Sequence, residues 1–382
     1  MIHSRRQFLQ AIAAGSAAVT AGGSFAAERS KTLVPTRAIT KGPKFHWFGY
    51  YDKLQFDPAN RFVLSNQVDF EHRSPKPDDT IKVGMVDIKE GDKWIELGES
   101  RAWGWQQGCM LQWRPGSDSE VLWNDRRDGR FVCHVLDIKT KQRRTLSRPI
   151  YALSPDGKWA ITADFARIQK MRPGYGYAGV ADEFARERAP KDYGIWRVNL
   201  ETGDSELIVS LAEMAALPYQ DRTLEKKWNY FNHLLISPDG KRFIFLHRWR
   251  EDANGSPTRG FTTRMFTANI DGSGLYELDP SGHTSHFIWR DPQHICAWTK
   301  PGGRPAAFYL FKDQTREIEV VGEGVMKLNG HNTYLPIEEN RWILNDTYPN
   351  THRQQTPYLF DTRTSKRHDL GHFYSPPQYK GE

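Results

Sequence analysis

Cysteine is scarce: Cys109, Cys133 and Cys296 are the only three in 382 residues. So sparse and odd a set excludes a disulfide-stapled scaffold and any cysteine-rich zinc module. At most one bridge is possible, with Cys109 and Cys133 the pair to test. Helical periodicity is nearly absent, and only 180–188 and 210–216 could hold a turn or two. Charge of one sign is not in large excess either: 53 Lys+Arg against 46 Asp+Glu leave +7, too little for a nucleic-acid coat. What the chain has in quantity is aromatic rings, 13 Trp, 15 Tyr and 20 Phe, in a sequence that is 38% hydrophobic. Apolar burial must therefore come from large rings spread over many short elements, which no disordered chain shows. The length permits two or three domains, yet all-β barrels and propellers also run this long as single units.

Residues 4–9 read Ser-Arg-Arg-Gln-Phe-Leu and lead into a weakly apolar Ala- and Gly-rich stretch, Ala11 to Ala27, with a small-x-small site at Ser24-Phe25-Ala26. This resembles a twin-arginine export signal, which implies removal of residues 1–26 and a periplasmic or secreted product. Proteins exported this way cross already folded, often with a metal or cofactor installed. No other stretch approaches the ~18 apolar residues a membrane span needs.

A phrase recurs along the chain: an apolar strand, Ser-Pro-Asp-Gly or a degraded version, then a second apolar strand. Clear copies are Ser154-Pro155-Asp156-Gly157 and Ser237-Pro238-Asp239-Gly240; weaker ones stand at Asp57-Pro58, Arg114-Pro115, Arg290-Asp291-Pro292 and Leu335-Pro336. Pro presets φ, Asp bonds back to the backbone and Gly supplies a positive φ, so each phrase predicts a tight antiparallel hairpin. Two further strands follow each hairpin. Six four-stranded repeats result, at about 46–106, 107–149, 150–229, 230–282, 283–328 and 329–371. The expected fold is an all-β propeller over 46–382, with two packed sandwiches as the competing architecture. Residues 27–45 are then an N-terminal extension or a ring-closing strand. The ending "LGHFYSPPQYKGE" has the character of a lead-in to another blade, so a seven-bladed propeller truncated at its C-terminus is expected.

In a propeller the inner strands line one channel, and functional groups belong at inner-strand starts and second-strand ends. Four residues before the hairpin's Ser slot stand His233, His286 and His331 in blades 4 to 6, while blades 1 to 3 carry Lys53, Met110 and Ile150 there. Second strands end on Asn124-Asp125, Asp164, His247-Arg248 and Asn345-Asp346, among others. Three imidazoles suit a transition metal, with Asn, Gln or water completing the shell; His233 could instead be a base. Insertions at 165–192 and 212–229 add Arg167, Lys170, Arg172, Tyr175, Tyr177, Tyr219 and Arg222. Rings beside cations suit an anionic sugar, rings stacking on pyranose faces and Arg forking a carboxylate.

The phrases "HWFGYYDKLQFDP" (46–58), "FNHLLISPDGKRFIFLHRW" (231–249), "SHFIWRDP" (285–292) and "NGHNTYLP" with "WILNDTYP" (329–349) resemble the TolB-like propellers of the oligogalacturonate-lyase group and related propeller polysaccharide lyases. The resemblance implies a divalent metal, manganese or zinc, on His286 and His331, with Asn329 near where the family has a closely spaced second histidine. It also implies elimination on an acidic oligo- or polysaccharide by a histidine and an arginine. His233 matches the family's histidine before Ser-Pro-Asp-Gly, and ulvan-degrading relatives bring Tyr175 or Tyr177 forward. Catalytic candidates are thus His233, Arg248, Arg222, Tyr175, Tyr177 and His247; substrate-binding candidates are Asn124, Asp125, Arg167, Arg172 and Asp346. The elimination needs the uronate carboxylate neutralised and a base presented to the adjacent C–H. A non-catalytic TolB-like binding propeller and a metal-assisted hydrolase are the alternatives.

Overall fold

A computed structural model describes residues 30–252 and 260–379. The expected export signal lies outside the described residues. Strands pair antiparallel into seven sheets, six of four strands and a seventh of three. Blade 1 runs Phe45–Trp47, Phe62–Val68, Ile81–Asp87 and Lys93–Ser100; blade 2 runs Gln112–Trp113, Glu120–Arg127, Arg130–Asp137 and Arg143–Leu146. Blade 3 comprises Ala152–Leu153, Trp159–Thr162, Gly194–Asn199 and Ser205–Ser210, and blade 4 Trp228–Ile236, Arg242–Arg250, Thr262–Asn269 and Tyr276–Gly282. Blade 5 comprises Phe287–Asp291, His294–Thr299, Ala307–Lys312 and Ile318–Val321, and blade 6 Asn332–Tyr334, Trp342–Asn345, Tyr358–Asp361 and Lys366–Asp369. This is the expected propeller, with one blade more.

The hairpin phrase works as its chemistry predicts. Ser154 Oγ accepts from Trp159 N at 2.9 Å and donates to Asp156 Oδ1 at 2.6 Å, while Gly157 takes φ +67°. Ser237 and Asp239 repeat the arrangement in blade 4. The apolar rings bury between neighbouring sheets: Trp47, Trp103, Trp105, Trp113 and Trp123 pack between blades 1 and 2, and a phenylalanine-rich core joins blades 3 and 4.

The expected truncation is corrected by the seventh sheet. Gly371–Tyr374, read from the sequence as the lead-in to a missing blade, is itself a central strand. It pairs with Lys31–Thr32 on one side (Lys31 opposite His372) and Gln354–Gln355 on the other. Left unpaired, it would present a row of free N–H and C=O groups; a strand from the other end of the chain supplies the partners. Lys31–Thr32 is thus the closing strand, in a ring of seven rather than six.

Helices also differ in part. Residues 180–188 form turns, whereas α1 (Phe165–Met171) starts the same insertion, capped by Asp164, whose Oδ1 accepts from Arg167 N at 2.8 Å. Gly179 at φ +95° separates α1 from the turns. The helix α2 (Leu211–Ala216) falls where 210–216 was expected, begun by a Ser210–Glu213 capping box. All three cysteines are buried and free, so the Cys109–Cys133 bridge does not form. Among the described residues no helix is long and apolar enough to cross a membrane.

Candidate active site

His233 is placed by a break in its own strand. Pairing between Trp228–Ile236 and Arg242–Arg250 slips by one residue between Asn232 and Leu235, and His233 sits in that bulge at φ +54°. Bulges re-aim side chains and cluster at functional sites. Its N–H donates to Asn232 Oδ1 at 2.8 Å, and its ring stacks on Tyr50 with centroids 5.0 Å apart and planes 20° apart. Gln107 and Tyr151 face Nδ1 at 3.2 and 3.4 Å. With 8% exposure, burial holds the imidazole well below its usual range, and the charge of Arg248 pushes the same way. The group is a neutral imidazole at neutral pH. A left-handed conformation costs a non-glycine residue about 1 kcal/mol or more. His233→Gly should therefore melt above His233→Ala by about 1 kcal/mol, reversing the usual order inside a strand; equal or inverted melting of the two would show that the bulge is unstrained.

The segment before Lys53 carries two tyrosines to the histidines of the later blades. Gly49 allows it, since a Cβ there would stand 2.4 Å from the Gln107 carbonyl oxygen. Tyr51 OH donates to Phe287 O at 2.6 Å and accepts from Phe287 N at 3.2 Å, tying blade 1 to blade 5. The His286 and His331 rings lie 4.5 Å apart, with Tyr51 5.0 Å and Tyr50 5.6 Å from His331. Each imidazole is held at Nδ1: His286 by Asn329 Oδ1 and His331 by Asp346 Oδ2, both at 2.9 Å. Those partners fix the Nδ1–H tautomer and leave the Nε2 lone pairs. Burial lowers the His286 imidazole to about 3, helped by repulsion from His331. Asp52 pairs with the buried Lys53 at 2.8 Å, and the Lys53 ammonium lies 5.2 Å from the Tyr151 ring centre.

Two guanidiniums complete the cluster. Arg248, 3% exposed, donates from Nε to Thr263 Oγ1 at 3.1 Å, while its Nη1 has no hydrogen-bond partner. Arg172 donates to Tyr175 OH at 2.7 Å and covers that ring at 3.7 Å. Both cations also lie over Phe261, at 4.7 and 4.5 Å. Neither has a carboxylate partner among the described residues. Burial pulls Arg248 down to about 10, and the like charge of Arg172 adds to the effect.

The structure thus brings together His233, His286, His331, Arg248, Arg172 and Tyr175, with Asn329 and Asp346 behind the imidazoles as orienting partners. It engages the other sequence candidates differently. Tyr177 stacks on Phe165 at 4.1 Å, and its hydroxyl meets Asn124 Nδ2 at 3.1 Å. Asn124 clasps both backbone groups of Ile150, stitching blade 2 to blade 3. Asp125 receives Arg101 N and pairs with His134 at 3.1 Å. Both ring nitrogens of His247 are in contact, with Asn229 and Arg264. Arg167 holds the backbone of its own insertion, and Arg222 is exposed beside Tyr219. The sequence reading missed Tyr50, Tyr51, Gln107, Tyr151 and Phe261. A signal existed for three of them: Tyr50-Tyr51 stands just before the Lys53 slot, and Tyr151 just after the Ile150 slot.

No family model matches the chain, and no curated protein matches it. Solved structures do. An oligogalacturonate lyase in complex with manganese superposes with a TM-score of 0.58 at 15% identity, over 86% of this chain and 79% of that one. In fold, the chain is similar to oligogalacturonate lyases. A second such lyase, from Vibrio parahaemolyticus, gives 0.57 at 14% identity, over 87% of this chain and 80% of that one. A TolB from Acinetobacter baumannii follows at 0.43, 12% identity, over 78% and 62%. Likeness to the lyases raises the question of a metal, and the donor set answers it. Among the described residues no three His, Cys, Asp or Glu side chains stand together as ligands. Asn329 turns its oxygen to His286, away from a ligand's role. Two imidazoles alone do not make the expected centre.

Proposed function

We propose that the chain is an exported lyase that cleaves an acidic oligo- or polysaccharide by β-elimination at this cluster. The observation that carries the reading is Arg248: a buried guanidinium with an unpartnered Nη1, beside a second unpaired guanidinium and a neutral imidazole. Buried charge without a partner is costly, so a site that retains it is built for an incoming anion. A uronate carboxylate on Arg248 and Arg172 would spread the charge of the developing carbanion and acidify the neighbouring C–H. His233 is the base. Turning the Gln107 amide so that its otherwise unpartnered Oε1 faces Nδ1 puts the imidazole proton there and leaves Nε2 to accept the substrate's. The Nε2 atoms of His286 and His331 accept sugar hydroxyls. No step runs through a metal.

Purified protein incubated with fragments of pectin, ulvan, alginate and glucuronan should generate the ultraviolet absorbance of an unsaturated uronate with at least one of them, and the activity should fractionate with the periplasm or medium. Silence across all four would remove the lyase reading and leave a binding propeller.

A further inference from the structure

The first two strands of blade 4 set Tyr230 directly opposite Arg248. Residues facing each other across an antiparallel pair share one side of the sheet with Cβ atoms about 5 Å apart, so the phenol and the guanidinium run side by side. Both are buried, Tyr230 wholly and Arg248 to all but 3%. Each also ends on an orphan: neither Tyr230 OH nor Arg248 Nη1 has a hydrogen-bond partner among the described residues. The phenol oxygen could accept from its neighbour and does not, which leaves two donors side by side. Buried polar atoms are nearly always satisfied, and an arginine can be satisfied only by an acceptor.

The missing acceptor must bring negative charge. Arg172 shares the Phe261 ring with Arg248, which puts a second guanidinium beside the first. The carboxylates of the cluster are engaged elsewhere, Asp52 by Lys53 and Asp346 by His331. His233 and His286 are kept neutral by burial and offset nothing. Two like charges held out of water without a counter-ion are costly to keep while no substrate is bound.

We propose that in the free protein Arg248 and Tyr230 hold a small monovalent inorganic anion of the halide class, chloride in ordinary media, and that the substrate carboxylate displaces it. The halide site stands on the cluster alone, whereas the displacement rests on the lyase reading. A halide matches the pair because it brings one negative charge, accepts from any direction and carries no proton. It takes the Nη1 hydrogen of Arg248 and the hydroxyl hydrogen of Tyr230 as two charge-assisted bonds. Water would accept the same two bonds, yet it leaves the cation unpaired and brings two hydrogens that need acceptors of their own.

Chloride-35 line widths, measured on the purified protein in sodium chloride, test the site directly. Wild type should broaden the line saturably, and added bromide should reverse the broadening. Arg248→Met should abolish it. Tyr230→Phe, which keeps the ring and removes one bond to a charged partner, should raise the chloride Kd by about tenfold. An anion that binds only the folded chain stabilises it, so the wild-type melting temperature should climb with chloride more steeply than that of Arg248→Met, which subtracts the general effect of salt. On the uronide cleaved best, chloride should raise KM and leave kcat, and that uronide should narrow the chloride line. No broadening beyond that of Arg248→Met, or an unchanged Kd in Tyr230→Phe, would overturn the inference and leave the lyase reading standing. Bound chloride that a cleaved uronide fails to displace would overturn the shared pocket. Absence of any cleavage would remove the lyase reading and the displacement with it, and the halide site would still stand or fall on line widths and melting.

Discussion

Arg248→Met is expected to cut the proposed elimination sharply while raising the melting temperature. The two effects share one cause. Arg248 is almost wholly buried, touches one hydroxyl, and has Nη1 unpartnered next to the charge of Arg172. Methionine fills much the same volume without a charge to desolvate, so stability should rise by on the order of 1 kcal/mol, as when buried charges give way to apolar isosteres. Loss of the group that neutralises the substrate carboxylate should lower kcat/KM by about 10²- to 10³-fold. Thermal melts and initial rates on the best uronide check both. A less stable variant that keeps its activity would show that Arg248 is a structural cation and not the anion's partner.

Arg167→Ala should do the opposite to the fold. This side chain, 2% exposed, reaches five oxygens: Asn229 O at 2.7 Å, Glu187 O at 2.9 Å, Arg188 O at 3.0 Å, and both Phe184 O and Asp182 Oδ2 at 3.2 Å. Its removal takes a donor from a buried carboxylate and from four carbonyls, of which Phe184 O and Arg188 O keep backbone partners, and should cost about 3–5 kcal/mol. Arg167→Lys should recover little, because one ammonium cannot fork to so many acceptors. Denaturant unfolding of both variants measures this. A loss under about 1 kcal/mol would mean that the 165–192 insertion holds itself without the strut. Activity should fall as well, since Arg172 and Tyr175 lie on the same insertion.

These two arginines show what a sequence can and cannot disclose. Both were legible as cations near second-strand ends or insertions, and both were assigned to substrate or catalysis. What separates them is the partner count: five acceptors around Arg167, one hydroxyl around Arg248. Those acceptors are mostly backbone carbonyls, and no side-chain pattern reports where a carbonyl will point. The histidine slot was legible because hairpin chemistry fixes the inner-strand register, so His233, His286 and His331 could be counted to one height. The bulge that gives His233 its left-handed backbone was not, since slipping by one residue leaves no mark on the apolar alternation. Tyr50 and Tyr51 carry no such mark, because a phenol in an aromatic-rich chain reads as core. The seventh sheet was missed for a topological reason. Two residues near the start and four near the end have no recognisable pattern until they are placed side by side.

That last arrangement bears on how the molecule is made. Lys31 cannot meet His372 until His372 has left the ribosome, so six blades can form in order while the ring is still open. The final seam then joins residues more than three hundred positions apart, at ends that the six formed blades have already brought near one another. Once shut, the seam shields the edge that an unfinished ring would offer to a second chain.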